Sequence, residues 1–274
     1  MLRINTPVEH YPELGLWVKR EDLSCPPPGP PFSKTRGVFA HIANRPEQVI
    51  GVLDTYHSQA GHAVAAACKL LGKTCVNYYP KFKQDRGLQP QQIAARDLGA
   101  HLEPIPAGRS FILYAQARKL LAADHPGAYM MPNALKLPET VSETASEVAR
   151  TQFPEGIETI LIAVSSGTIA SGVIKGLIDT KWRGKNIVLH MGYNRPVPAL
   201  LTYINSKVQR ETQMDFRVIF VNELYGYADK ATDRHRDISA PPFPCNPYYD
   251  LKLYHWWINE GFAKYHEAIL WNIG

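Results

Sequence analysis

Short apolar segments alternate with longer segments of mixed polarity along most of the chain. The apolar segments are rich in Val, Ile and aromatic residues, a pattern typical of buried strands. They predict strands at residues 16–19, 49–54, 74–79, 101–105, 159–164, 186–191 and 216–221. The intervening segments predict helices at residues 62–71, 89–98, 109–123 and 169–178, and the chain from Tyr249 onward is also predicted to be helical.

This alternation of strands and helices predicts βαβ units with parallel sheets, and therefore an α/β fold. Residues 47–105 and 158–223 could each form a separate α/β unit. Ligands of such folds bind at the carboxyl ends of the strands, so we expect functional residues in the loops that follow them. Two proline runs, at residues 26–31 and 241–247, predict loops because proline cannot continue a helix or donate to a sheet.

The composition is ordinary for a globular protein of 274 residues, with 45% apolar and 20% charged residues and a net charge of +5. Its longest aliphatic run, residues 160–164, is far shorter than the ~20 residues that a membrane-spanning helix needs. The N-terminal segment has no apolar core and carries Glu9 and Glu13, so we expect no signal peptide and a cytoplasmic protein.

Several chemistries are disfavoured by the absence of their motifs. The four cysteines are widely spaced and the histidines lack metal-ligand spacing, so we expect free thiols and no metal site. The sequence has no GxGxxG, Walker, GxSxG or HExxH motif. Rossmann dehydrogenases, P-loop NTPases, α/β-hydrolases and zinc proteases therefore lose their strongest support.

Two segments carry candidate chemistry. Ser165, Ser166, Gly167 and Thr168 follow a predicted strand and open a helix, where successive backbone N–H groups favour a phosphate. An ordinary strand-to-helix turn with an N-cap is the alternative. Lys34 stands just before another helix, and a desolvated lysine can form a Schiff base. A lysine of this kind together with a phosphate loop suggests pyridoxal 5′-phosphate (PLP) as the cofactor.

Six segments, taken in order, resemble the fold-type II PLP-dependent enzymes, the tryptophan synthase β family. They are TPVEHYPELGLWVKREDLS, FSKTRG, HSQAGHAVAAACKLLGK, IAVSSGTIASG, ELYGYADKAT and NPYYDLK. The sequence is most similar to the branch of 1-aminocyclopropane-1-carboxylate (ACC) deaminase and D-cysteine desulfhydrase. The resemblance implies a two-lobed, three-layer α/β sandwich, with residues 41–135 as a small domain inserted into a large PLP-binding domain of residues 1–40 and 136–274. It also implies a homodimer.

The resemblance implies roles for the cofactor residues. Lys34 would hold PLP as a Schiff base and move protons at the substrate Cα, and the amides of residues 165–168 would bind the phosphate. Asp250 would face the pyridine nitrogen, where a carboxylate keeps the ring protonated and makes it a strong electron sink. As an alternative, Asp250 only interacts with a helix dipole.

The resemblance also implies the residues around the substrate. Tyr225 and Tyr249 would be catalytic hydroxyl groups, and Ser58, Gln59 and His62 would contact the substrate, with Gln59 also contacting the cofactor ring. The alternatives are an aromatic core position for Tyr249, a surface position for Gln59 and a plain helix-face position for His62.

Three departures from the family pattern fall around the substrate pocket. Gln59 replaces the usual Asn, Asp250 replaces Glu, and the segment between Tyr225 and Tyr249 is short and rich in proline. The leading hypothesis is deamination, elimination or another lyase reaction on a small free amino acid. The first alternative is decarboxylation or lyase chemistry on an amino acid attached to a larger carrier, such as a modified nucleobase in phage DNA. A nucleic-acid partner is compatible with the net charge of +5. The second alternative is a non-catalytic PLP-binding homologue.

Overall fold

The computed structural model describes residues 2–84, 87–208 and 215–274. Its strands are β1 (Val8–Tyr11), β2 (Leu16–Arg20), β3 (Val49–Leu53), β4 (Thr74–Lys81), β5 (His101–Pro106), β6 (Tyr129–Met130), β7 (Thr159–Val164), β8 (Asn186–Met191), β9 (Arg217–Val221) and β10 (Ala268–Asn272). Its helices are α1 (Thr35–Ala43), α2 (Ala60–Leu71), α3 (Pro90–Asp97), α4 (Ser110–Asp124), α5 (Pro138–Arg150), α6 (Thr168–Asp179), α7 (Val197–Val208), α8 (Asp250–Trp256) and α9 (Phe262–Tyr265). A π-helical turn, Trp257–Gly261, joins α8 to α9.

The described chain divides into two compact units. The first unit contains the chain up to Ser24 together with Val141–Gly274, and the second is Cys25–Thr140. Residues 25–40, which the sequence-based division assigns to the large domain, lie in the second unit because Val38 and Ile42 of α1 pack into its core. The assignment of residues 41–135 to an inserted small domain stays a prediction.

The first unit is built on a six-stranded sheet in the order β1-β2-β10-β7-β8-β9. Only β1 pairs antiparallel, and the other neighbours run parallel. Every residue of β7 and β10 is buried. Both strands are covered on both faces, which explains why their sequences are almost continuously apolar. The predicted strands at 159–164 and 186–191 coincide with β7 and β8.

The C-terminal segment differs from its predicted structure. The sequence predicts helix from Tyr249 onward, but residues 268–272 form β10, which lies between β2 and β7 in the centre of the sheet. The segment AILWN, with four apolar residues before Asn272, is buried on both faces there, and such a short run cannot be assigned to a strand or a helix by periodicity.

The second unit is built on a four-stranded parallel sheet in the order β5-β4-β3-β6. Its core includes the Ala-rich face of α2, whose small side chains allow close packing against the neighbouring elements. The two units together confirm the predicted α/β fold with parallel sheets flanked by helices. Among the described residues, no helix is long and apolar enough to cross a membrane.

Helix packing in the first unit depends on two glycines of α6. A Cβ added at Gly172 would lie 2.5 Å from the Thr144 Cβ atom, and one at Gly176 would lie 2.6 Å from the Val148 Cβ atom. Both neighbours belong to α5, so the two helices touch where α6 has no side chain.

We therefore expect Gly172→Ala to lower the free energy of unfolding by about 1–3 kcal/mol, because the added methyl group overpacks this contact. Urea unfolding measures the change. The matched control is Gly108→Ala, since a Cβ at Gly108 would find its nearest atom at 4.0 Å and the residue needs no positive φ. An equal effect of the two substitutions would contradict the packing argument.

Candidate active site

Lys34 lies at the start of α1 in the second unit, directly before Thr35. Its Nζ donates a hydrogen bond to the carbonyl oxygen of Ala134 at 3.0 Å. Burial and, to a smaller extent, the positive charge of Lys136 lower the pKa of Lys34 to about 8. A lysine with a lowered pKa loses its proton easily near neutral pH, which a nucleophilic amine requires.

The turn that receives the Lys34 amine is strained. Ala134 and Leu135 have φ values of 59° and 48°, in the left-handed region that residues with a Cβ rarely adopt. Each such residue costs on the order of 1–3 kcal/mol, and residues of this kind cluster at functional sites. Here the strained turn directs the Ala134 carbonyl group toward Lys34.

The segment before α2 contains the three predicted substrate residues. The Ser58 Oγ accepts a hydrogen bond from the backbone N–H of Ala60 at 3.0 Å, so it stabilises the first turn of α2. Gln59 immediately precedes α2, and its Oε1 lies 3.4 Å from the His62 Nδ1. The structure therefore brings Ser58, Gln59 and His62 together at one helix end.

His62 also has a structural contact. Its Nε2 lies 2.9 Å from the carbonyl oxygen of Pro28, in the proline run, and therefore donates to it. Burial lowers the pKa of His62, so the ring is neutral near neutral pH. The contact ties the loop before Lys34 to α2. The role of His62 in substrate binding stays a prediction.

The predicted phosphate loop lies in the first unit, between β7 and α6. Gly167 has a φ of 90°, and a Cβ there would lie 2.8 Å from the Leu200 Cδ1. Both the backbone conformation and the close contact therefore require glycine at this position. The Ser166 Oγ lies 3.1 Å from the Thr168 Oγ1, which lies 3.1 Å from the Tyr203 hydroxyl group. These side-chain hydrogen bonds thus fix the conformation of the loop.

This loop has the electrostatics of an anion site. The first N–H groups of α6 have no carbonyl partner within the helix and give its N-terminus a partial positive charge. The Arg195 Nη1 donates to the carbonyl oxygen of Ser165 at 2.5 Å and places a guanidinium group beside the loop. The residues present therefore fit a bound phosphate group.

Asp250, the first residue of α8, is completely buried. Its Oδ1 accepts a hydrogen bond from the backbone N–H of Ile273 at 3.1 Å, whereas its Oδ2 has no hydrogen-bond partner among the described residues. Desolvation raises the pKa of Asp250 from 3.8 to about 7. A buried carboxylate oxygen without a partner fits the protonated nitrogen of a pyridine ring, which would supply both a hydrogen bond and a positive charge.

Tyr225 is fully buried, and its hydroxyl group has no hydrogen-bond partner in the described part of the chain. Its ring centroid lies 4.5 Å from the Lys252 Nζ and 4.3 Å from the Arg234 guanidinium carbon. Arg234 also donates to the carbonyl oxygens of Glu223 and Leu224, the two residues before Tyr225. Desolvation raises the pKa of Tyr225 to about 12, so the phenol keeps its proton.

Tyr249 immediately precedes Asp250 and packs against Gly192, where a Cβ would lie 2.8 Å from the Tyr249 ring. Burial, together with the neighbouring Tyr227 and Tyr193, raises the pKa of the Tyr249 hydroxyl group well above its ordinary value. Like the Tyr225 phenol, the Tyr249 hydroxyl group therefore keeps its proton near neutral pH.

Two basic residues of this region, Lys252 and Arg195, are not predicted from the sequence. Lys252 is fully buried, donates to the Gly192 carbonyl oxygen at 2.5 Å, and has a pKa lowered to about 8, with desolvation as the largest cause. It stands at the end of the NPYYDLK segment, two residues after Asp250. Arg195 follows β8, so the rule that ligands bind at the carboxyl ends of strands could have identified it.

Comparisons with known proteins identify relatives of the chain. A family model of pyridoxal-phosphate dependent enzymes matches residues 1–218. A glycyl-dTMP PLP-dependent decarboxylase of Pseudomonas phage M6 is 50% identical over 285 aligned residues, which cover 100% of both chains.

Solved structures share the fold at low identity. An ACC deaminase homologue has a TM-score of 0.81 and 17% identity, covering 100% of this chain and 90% of its own. A fungal L-serine ammonia-lyase from Rhizomucor miehei has a TM-score of 0.71 and 15% identity, covering 99% and 93%. Identities this low establish the fold and leave the reaction open.

The chain therefore belongs to the family of pyridoxal-phosphate dependent enzymes, with the fold of type II. PLP is its cofactor, as the sequence predicts. The phosphate loop and the Asp250 carboxylate are the two features of the first unit that fit this group.

Asp250 gives a prediction about pH. Because its folded-state pKa is raised above the ordinary 3.8 to about 7, its protonated form is favoured in the folded state. The stability of the PLP-free protein should thus fall as the pH rises from about 4 to about 7 and should level off above that range. Asp250→Asn should remove this dependence and stabilise the PLP-free protein at pH 8 by up to about 4 kcal/mol.

Urea unfolding between pH 5 and 8 measures this effect, with the exposed Asp124→Asn as the control. Saturating PLP should reverse the order of stabilities at pH 8 and stabilise the wild type more than Asp250→Asn, because the ring nitrogen would pair with the carboxylate. Parallel pH profiles for wild type and Asp250→Asn, with or without PLP, would rule out a perturbed Asp250.

Proposed function

We propose that the enzyme decarboxylates a glycyl group carried on a thymidine nucleotide. The observation that supports this most is the 50% identity, over the full length of both chains, to a protein named a glycyl-dTMP PLP-dependent decarboxylase. The proposal selects the carrier-linked hypothesis over a reaction on a small free amino acid. The homodimer stays a prediction.

The chemistry restricts how the glycyl group is joined to its carrier. An amino acid needs a free primary amine to react at this cofactor, and decarboxylation needs a free carboxylate on the neighbouring carbon. Both groups of glycine must then be free, so the carrier is attached at Cα. The carboxylate leaves as CO₂, its bonding electrons remain at Cα, and one proton added there leaves a CH₂–NH₃⁺ arm on the nucleotide.

Lys34 is the residue we assign to cofactor attachment. When bound, PLP withdraws the electron pair that the departing carboxylate leaves at Cα. Lys34, whose pKa is lowered to about 8, exchanges protons near neutral pH and would deliver the proton to Cα. The Ala134 carbonyl group, 3.0 Å from Nζ, would orient the amine.

The first unit supplies the remaining assignments. The amides of Ser165, Ser166, Gly167 and Thr168 would hold the phosphate, assisted by Arg195. The Asp250 carboxylate would keep the ring nitrogen protonated through its unpartnered oxygen.

The substrate residues have polar groups suited to orientation. Tyr225 and Tyr249 would donate hydrogen bonds as neutral phenols, since burial raises the pKa of each. Ser58 and Gln59, at the N-terminal end of α2, would contact the departing carboxylate or the ring oxygen, with His62 supporting Gln59.

The test uses thymidine 5′-monophosphate that carries the glycyl group through Cα on its base. We expect the PLP-loaded enzyme to release one CO₂ for each amine formed, without ammonia or keto acid. Lys34→Ala should reduce this activity at least about a hundredfold. Free glycine serves as the control substrate and should react far more slowly.

The opposite pattern would refute the proposal. Release of ammonia, keto acid or sulfide from ACC, D-serine or D-cysteine, with no CO₂ from the nucleotide substrate, would instead support an enzyme of small free amino acids. The same assay therefore separates the two hypotheses.

A further inference from the structure

Two tyrosines and two asparagines lie together at the carboxyl ends of β8 and β9. We call Tyr193, Asn194, Asn222 and Tyr227 the Tyr–Asn cluster. The rings of Tyr193 and Tyr227 are 5.2 Å apart between centroids and are nearly perpendicular, at 83°. Tyr227 remains 42% exposed, so the edge-on pair presents an accessible aromatic surface.

The two asparagines are held in fixed orientations. The Asn222 Nδ2 donates to the Asn194 Oδ1 at 3.0 Å, and the Asn222 Oδ1 accepts from the backbone N–H of Leu224 at 3.0 Å. The Asn194 backbone N–H donates to the Tyr225 carbonyl oxygen at 2.7 Å. These contacts hold the Asn194 amide so that its Nδ2 amino group, which has no hydrogen-bond partner among the described residues, stays available as a donor.

The Tyr–Asn cluster adjoins the residues assigned to the reaction. Tyr227 and Tyr193 are close enough to Tyr249 to raise the pKa of its hydroxyl group. Tyr225, the second proposed catalytic tyrosine, is hydrogen-bonded through its carbonyl oxygen to Asn194. A ligand held by the cluster would therefore lie beside the reacting group rather than at a remote surface.

We propose that the Tyr–Asn cluster binds the pyrimidine base of the substrate carrier; this rests on the proposed function. An aromatic side chain offers a stacking face to any base, and an amide offers directed hydrogen bonds to a base edge. The Tyr227 ring would stack on the base, and the Asn194 amino group would donate to a ring carbonyl oxygen. A small free amino acid has no group that could use both features.

The test measures dTMP binding to the PLP-loaded enzyme by calorimetry, with 2-deoxyribose 5-phosphate as the ligand without a base. Tyr227→Ala should weaken dTMP binding by about fivefold or more, since a base–aromatic stack is lost. Tyr227→Phe keeps the ring and should bind within about twofold of wild type, a change under ~0.5 kcal/mol. Asn194→Ala should also weaken dTMP binding. None of the variants should change the weaker binding of 2-deoxyribose 5-phosphate.

Phe111→Ala, which removes an aromatic residue that is 66% exposed in the second unit, is the matched control and should leave dTMP binding unchanged. A short oligothymidylate distinguishes the source of the base. If the oligomer binds more tightly than dTMP and Tyr227→Ala abolishes this binding, the site takes a base that is presented in DNA. If dTMP binds more tightly than the oligomer, the site takes a free nucleotide. Either order supports the base site.

Unchanged dTMP binding in both Tyr227→Ala and Asn194→Ala would overturn this inference, even if the enzyme decarboxylates the nucleotide substrate. Conversely, base-dependent binding that these variants lose would support the site even if no CO₂ is released, and only the proposed function would then fail. The absorbance of bound PLP in each variant shows that the cofactor site is intact.

Discussion

The first unit depends on a strand from the very end of the described chain. β10 lies between β2 and β7, so the N-terminal hairpin joins the parallel strands only through C-terminal residues. Its five residues are all buried. Burying a large aliphatic or aromatic side chain contributes roughly 1.5–3 kcal/mol, so this strand contributes much of the cohesion of the sheet.

The same strand also positions the candidate site. The backbone N–H of Ile273, just after β10, is the donor to the Asp250 Oδ1. Asn272 donates to Asp22 and to the carbonyl oxygen of Pro244, which ties the second proline run to the sheet. The sheet therefore fixes the position of the Asp250 carboxylate through the packing of β10.

Two pairs of ionisable residues in this protein differ in how their charges are compensated. Lys19 and Glu147 are fully buried and paired at 2.7 Å, and each also forms a hydrogen bond with Thr6. This ion pair is structural, because removal of either Lys19 or Glu147 would leave an uncompensated buried charge. Asp250 and Lys34 instead have pKa values shifted toward neutrality, which is expected of groups that await a ligand or exchange protons.

Much of the fold and part of the site could be predicted from the sequence. Strands such as β7 stand out because both faces are apolar, and the loop after β7 has a composition that suits phosphate. β10 could not be assigned because its four successive apolar residues carry no periodicity, and the strained turn at Ala134 has no glycine to reveal it. The roles of Arg195 and Lys252 depend on contacts between distant segments, which local patterns do not encode.

The central claim is that Lys34 carries the cofactor, and Lys252 is its natural competitor because burial lowers the pKa of both lysines to about 8. Borohydride reduction of the PLP-loaded enzyme makes the Schiff base permanent, and peptide mass spectrometry then locates the pyridoxyl group. We predict that the label lies on the peptide that contains Lys34. A label on Lys252, or no labelled lysine, would contradict the assignment.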